Sequence, residues 1–146
     1  INVLQAVILT DEEQMLLTPT YHVMKMYNVH QDATLLPIDF KNVMYEFEGE
    51  KLPAVSISAS RDAEGKVHVS LVNIDMNSSH KVELAVRGTD FKDAAGEILT
   101  SENIQDYNSF DQPDKLTPEK FDDFRFSKGT LNVDLPPFSV VVLELE

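Results

Sequence analysis

Val55-Ser56-Ile57-Ser58-Ala59-Ser60-Arg61-Asp62-Ala63-Glu64-Gly65-Lys66-Val67-His68-Val69-Ser70-Leu71 decides how the rest of this sequence is read. Its first six residues alternate apolar and small polar side chains, the period-two pattern of a half-buried strand. Arg61 to Lys66 has the composition of a hairpin turn, and Gly65 is free to take positive φ there. Val67, Val69 and Leu71 then share one face of the returning strand. This is a β-hairpin.

Downstream the same signature recurs. Val82, Leu84 and Val86 alternate through Lys81 to Val86, with Gly88 as punctuation. Ala94-Ala95-Gly96-Glu97-Ile98-Leu99 suggests another hairpin. Leu131, Val133 and Leu135 alternate up to the Pro136-Pro137 break, and Phe138 to Leu145 is apolar on both faces, as a central strand should be. Short strands with turn signals roughly every ten residues predict a sandwich or barrel. The stretch 101–128 is less regular, and Phe110, Phe121, Phe124 and Phe126 are expected to fold it back onto the sheet.

Upstream the period changes. Leu35-Leu36-Pro37-Ile38-Asp39-Phe40 reads as a linker, with Pro37 blocking helix continuation, and a boundary falls near residue 35. Before it, residues 18–31 read as a helix. Thr18 is its N-cap, and Pro19 fits the first helical position, where a missing N–H costs nothing. Tyr21, Met24, Tyr27 and Val23, Met26, His30 recur at three- and four-residue spacings, so much of its surface is apolar and needs cover. Asn2 to Thr10 reads as a buried strand, followed by an acidic turn at Asp11-Glu12-Glu13.

Composition bounds the function. The chain of 146 residues suits one domain of ordinary soluble composition, 42% hydrophobic and 25% charged. No apolar run approaches the ~20 residues of a membrane span. Twelve basic against 25 acidic residues give a formal net charge of −13, which repels phosphate backbones and anionic lipid. Nucleic-acid and membrane partners are therefore not expected, whereas a neutral polysaccharide is compatible. Zero cysteines exclude disulfides, thiol catalysis and Cys-based zinc sites. The chain opens Ile-Asn-Val with no visible signal peptide, leaving bacterial cytoplasm, periplasm and secretion all open.

Several stretches together carry a resemblance. Asn2-Val3-Leu4-Gln5 and Ile8-Leu9-Thr10, Leu17-Thr18-Pro19-Thr20-Tyr21-His22-Val23, Met26-Tyr27, and Val29-His30-Gln31-Asp32-Ala33-Thr34 resemble the end of the catalytic barrel in family 51 α-L-arabinofuranosidases. Val67 to Asn73 and Leu135-Pro136-Pro137-Phe138-Ser139-Val140-Val141-Val142-Leu143 resemble the same family's C-terminal β-sandwich. The resemblance implies a mainly β fold. Residues 36–146 would form a jelly-roll-like antiparallel β-sandwich, preceded in residues 1–35 by a strand–helix remnant of a (β/α)₈ barrel. It also implies a non-catalytic C-terminal part of a retaining glycoside hydrolase acting on arabinan or arabinoxylan, whose Glu pair lies upstream. Its partners would be the barrel of the same parent chain, an arabinose-containing saccharide and, compatibly, a second copy. No cofactor is implied. Family sandwiches also receive a strand from the extreme N-terminus of the whole enzyme, so an unpaired edge is expected here.

Among candidate site residues Gln5 weighs most. With residues 2–9 as the last barrel strand, Gln5 lies towards the C-terminal end, where barrel enzymes place their active sites. The resemblance implies that its amide, both donor and acceptor, bonds the bound arabinose. The competing role is an independent carbohydrate-binding module. Such modules stack sugars on aromatic rings, and with no Trp available Tyr45 and Tyr107 are the candidate platforms. The glutamates sit mostly among charges or in turns, the setting of solvated surface. His22 and His30 are eight residues apart and His68 and His80 lack a carboxylate cluster, so no metal site is expected. Asn73, Asp75 and Asn77 hint at calcium, but a plain turn fits better. Asn77-Ser78-Ser79 matches the glycosylation triplet, a pattern common by chance. Nucleophile-elbow, phosphate-loop and dinucleotide motifs are absent from the sequence.

Overall fold

A computed structural model describes residues 6–88, 91–127 and 129–146. Among the described residues, thirteen strands and one α-helix follow in chain order. An N-terminal hairpin, β1 (Ile8–Asp11) and β2 (Gln14–Leu17), leads into α1 (Pro19–Tyr27) and a single 3₁₀ turn, Asn28–His30. Then come β3 (Thr34–Leu35), the hairpin β4 (Met44–Phe47) and β5 (Glu50–Pro53), β6 (Val55–Arg61), β7 (Val67–Asn73) and β8 (His80–Leu84). The chain closes with β9 (Ala94–Thr100), β10 (Glu119–Lys120), β11 (Phe124–Ser127), β12 (Thr130–Leu135) and β13 (Ser139–Leu145).

Two antiparallel sheets make the sandwich: a six-stranded sheet in the order β10-β9-β13-β7-β6-β3, and a three-stranded one in the order β11-β12-β8. The strands alternate, so one set of side chains from each sheet points inward. Val55, Ala59, Val67, Val69, Leu71, Val141, Leu143 and Leu145 from the larger sheet meet Val82, Leu131, Val133 and Leu135 from the smaller in one core. The expected hairpin forms, with Gly65 at φ 90°, and β13 is central, paired to β7 on one side and β9 on the other.

The structure corrects two expectations of local form. Ala94 to Leu99 is not a hairpin but part of one straight strand. Gly96 is there for space, because a Cβ on it would stand 2.8 Å from the Phe121 carbonyl oxygen and 2.9 Å from Leu143 Cδ2. The N-terminal strand is also different from the buried one expected. Of residues 2–10, the structure describes residues 6–10, and β1 there is exposed, pairing with β2 across a turn at Glu12-Glu13, where Glu12 takes φ 50°. Residues 14–17 therefore belong to a strand before the helix begins.

The helix starts as read. Thr18 caps it, its Oγ1 accepting from the Tyr21 N–H at 3.4 Å, and Pro19 takes the first turn. Its apolar face is covered by the outer side of the six-stranded sheet, where Met26 packs with Leu99 and Val142, flanked by Val23, Tyr27, Leu116 and Val140. Met24 remains exposed, as do Ile8, Leu9 and Met15 on the hairpin before it.

Of the four phenylalanines expected to fold back residues 101–128, Phe121 is fully in the core and Phe124 packs against it. Phe110 and Phe126 stay about one-third exposed, at 37% each.

Candidate functional site

The outer face of the six-stranded sheet is where the helix and the sandwich exchange polar contacts. Ser60 on β6 and Ser70 on β7 point away from the core, because their neighbours Ala59, Val69 and Leu71 point into it. Ser70 has no exposed surface. The His30 imidazole sits between the two serines, with Nδ1 2.6 Å from Ser60 Oγ and Nε2 2.5 Å from Ser70 Oγ. A neutral ring serves both: one nitrogen donates its N–H and the other accepts a hydroxyl proton. Burial holds the His30 imidazole below its ordinary value, and the nearby His68 lowers it further. Tyr27 lies edge-on to His30, with ring centroids 5.6 Å apart. Burial raises its phenol, an effect that the Ser70 hydroxyl partly offsets.

Beside this node, His68 on the same outer face lies 3.0 Å from Asp62 Oδ2, and its other ring nitrogen is 3.8 Å from Glu144. Lys66 donates to Glu144, which holds that carboxyl below the usual range. These groups tie the β6–β7 turn to the end of β13. A histidine between two serines invites a comparison with nucleophilic sites, but the buried Ser70 hydroxyl cannot meet a substrate. The arrangement holds elements together.

A second polar junction lies at the start of the helix. Asn108, 5% exposed in the irregular stretch 101–118, donates from Nδ2 to the Leu17 and Leu116 carbonyls, both at 2.9 Å, and accepts the Leu116 N–H at 2.7 Å. Thr18 in turn donates its N–H and its hydroxyl to the Val7 carbonyl at 3.2 and 2.8 Å. Neither junction follows from the sequence reading. Ser60 of β6 and Ser70 of β7 showed themselves only as the polar half of an alternation, and Asn108 as one loop residue among many.

Gln5 lies outside the described residues. Tyr45 is half-buried on β4 and packs against the sandwich core. Tyr107 is 68% exposed and lies in the irregular stretch between β9 and β10, next to Asn108. The suspected calcium stretch is a turn: Asn73 Oδ1 accepts from the Asp75 N–H, and Asp75 Oδ1 from the N–H groups of Asn77 and Ser78. Those backbone donors, Asn77 first, hold the Asp75 carboxyl low. Among the described residues no three His, Asp or Glu side chains are grouped to hold a metal ion. His22 is buried in the helix, lowered by that burial and by Lys25.

A cleft of about 540 Å³ runs between the sheets, from Leu36, Ile57 and Val69 on one side to Leu84 and Val86 on the other. Among the described residues, β8 pairs on one side only, with β12. The other edge of β8, beside this cleft, has no strand partner among the described residues.

An antiparallel β-sandwich with a helix docked on its outer face defines the class of the fold. Residues 1–139 match the model of the α-L-arabinofuranosidase C-terminal domain, and the chain belongs to that family, the C-terminal part of family 51 glycoside hydrolases. It is 45% identical to an intracellular exo-α-L-arabinofuranosidase of Bacteroides ovatus over 100% of its own length and 29% of that protein's. Against α-L-arabinofuranosidase 1 of Arabidopsis thaliana the identity is 29%, over 88% of the chain and 19% of the relative. The GH51 arabinofuranosidase crystal structure from Xanthomonas axonopodis pv. citri superposes with a TM-score of 0.96 at 41% identity, covering 99% of this chain and 29% of that one. The chain thus spans under a third of the first two arabinofuranosidase chains it matches closely, the Bacteroides and Xanthomonas proteins.

Proposed function

We propose that this chain is the C-terminal part of an α-L-arabinofuranosidase that removes terminal α-L-arabinofuranosyl residues from arabinan or arabinoxylan. The observation that carries the reading is the 45% identity to the Bacteroides enzyme along the whole of this chain. In this reading residues 1–35 complete the catalytic barrel, residues 36–146 are its accessory sandwich, and Gln5 bonds the arabinose. Hydrolysis is retaining, by two glutamates about 5–5.5 Å apart that both lie upstream.

The sandwich supports the barrel by packing. The docked helix couples the two, and an upstream strand of the parent chain fills the cleft beside β8. Exposed Met44, Phe47 and Leu52 on the β4–β5 hairpin offer a further contact, to the barrel or to a second copy. The Tyr45 packing weighs against an independent sugar-binding module, which would need free aromatic platforms.

The test compares the full-length protein carrying this chain with the 146-residue chain alone. The full-length protein is expected to release arabinose from 4-nitrophenyl α-L-arabinofuranoside and from arabinan, and the chain alone to release none. Calorimetric titration of the folded chain with arabinan and arabinoxylan oligosaccharides is expected to show no binding. A full-length protein inactive on both substrates overturns the reading. Saturable binding by the chain makes it a binding module, with Tyr45 and Tyr107 the first residues to replace.

A further inference from the structure

We infer that Asn108 is a positioning residue for the reaction proposed above, on which this inference rests: it fixes the start of the helix, and through it the Val7 segment, to the sandwich. Three bonds from one buried amide carry the argument. The Oδ1 bond to the Leu116 N–H and one Nδ2 bond to the Leu116 carbonyl close the local loop. The remaining Nδ2 bond, to the Leu17 carbonyl, crosses 91 positions of sequence and does nothing for the loop itself.

What it reaches is the junction before the N-cap. Leu17 precedes Thr18, whose N–H and hydroxyl converge on the Val7 carbonyl. Val7 follows Gln5 by two positions in the chain. At the other end, the Leu116 side chain packs beside Met26, Leu99 and Val142 under the helix. An unbroken series of contacts thus runs from the outer sheet face through Leu116 and Asn108 to Leu17, Thr18 and Val7. The chemistry demands an amide, because two carbonyls need donors and one N–H needs an acceptor. An aspartate would turn a carboxylate oxygen towards both carbonyls. Misplacing a substrate-contacting segment by about 1 Å is enough to cost a large factor in rate.

In the full-length protein, Asn108→Asp and Asn108→Ala are compared with Ile98→Val. The last trims a core residue on β9 and serves as a control for stability alone. Both Asn108 variants are expected to lower kcat/KM on 4-nitrophenyl α-L-arabinofuranoside by about tenfold, mostly through KM. Ile98→Val is expected to melt earlier with kcat/KM unchanged. Asn108→Ala removes the bonds without adding a buried charge, and so decides the matter even where the aspartate variant fails to fold. A kcat/KM within twofold of wild type for Asn108→Ala, or an equal loss in Ile98→Val, overturns the inference.

Hydrogen exchange on the 146-residue chain separates this from the reading it rests on. Asn108→Ala should speed exchange at Thr18, Tyr21 and His22 while leaving Val69, Leu71 and Val141 protected. Should the wild-type full-length protein not cleave arabinofuranosides, the proposed function falls. Unchanged exchange at Thr18 to His22 would sink the clasp by itself.

Discussion

The two faces of the six-stranded sheet are made of the same strands and do different work. On the inner face, Val67, Val69 and Leu71 of β7 and Val141, Leu143 and Leu145 of β13 meet the second sheet with nothing polar among them. On the outer face the same strands present His68, Ser70 and Val72, and Val140, Val142 and Glu144. The inner face is held by apolar area removed from water, which is large and indifferent to direction. The outer face pairs a small apolar patch under Met26 with hydrogen bonds at His30 and Asn108, which are weaker and directional. The difference separates stability from address. One face makes the domain fold, and the other decides where on it the helix sits.

The contrast breaks most visibly by attacking the inner face. Leu71 has no exposed surface and lies on the strand between β6 and β13. Leu71→Ala is expected to lower unfolding free energy by roughly 2–5 kcal/mol, from lost transfer energy plus the cavity left behind. Urea denaturation followed by far-UV circular dichroism measures it, and a loss under about 1 kcal/mol would mean that the inner face is not the main source of stability. Next comes overfilling the same face. Gly96→Ala puts a methyl against the Phe121 backbone and Leu143, and is expected to cost about 1–3 kcal/mol, because a backbone neighbour cannot swing aside.

On the outer face, His30→Ala leaves the hydroxyls of Ser60 and Ser70 without their ring partner. The expected loss is about 1–2 kcal/mol. Its distribution matters more than its size. Amide exchange in α1 should quicken while β7 and β13 stay protected, since the helix is held by that face and the sheet is not. Equal loosening of sheet and helix would show that the two faces act as one.

The inner face was legible in the sequence and the outer was not, for a physical reason. Burying apolar side chains on one side of a strand imposes a period of two, and Val67, Val69, Leu71 and Leu131, Val133, Leu135 display it without reference to partners. The same logic misread Ala94 to Leu99, because a glycine absent a side chain for packing reasons looks like a glycine placed for a turn. Thr18 and Pro19 announced the helix, since a cap is a local device. The strand Gln14–Leu17 was hidden because its apolar residues merge with those of the helix that follows. His30 and Asn108 were beyond reach: hydrogen bonds to residues 30, 40 and 91 positions away leave no periodic trace. The contact of Tyr45 with the core was out of reach for the same reason, since it joins separate elements.

The mildest perturbation of the outer face is a proton. His30 and His22 both have folded values depressed by burial, so between those values and the ordinary 6.5 the unfolded chain binds more protons than the folded one. Stability from these groups is therefore complete above about pH 6.5 and declines as pH falls through and below it. The lowered carboxyls of Asp75 and Glu144 act later, their contribution being lost only as pH drops below the ordinary carboxylate range. Lowering pH from 7.5 to 5.5 should thus weaken the fold by less than His30→Ala does, and His30→Ala should flatten the slope across that interval. Urea midpoints at the two pH values, for wild type and variant, give the comparison. An unaltered slope in the variant would place the titrating group elsewhere than between helix and sheet, and would leave Ser60 and Ser70 as a contact that holds the helix equally well whether the ring is charged or neutral.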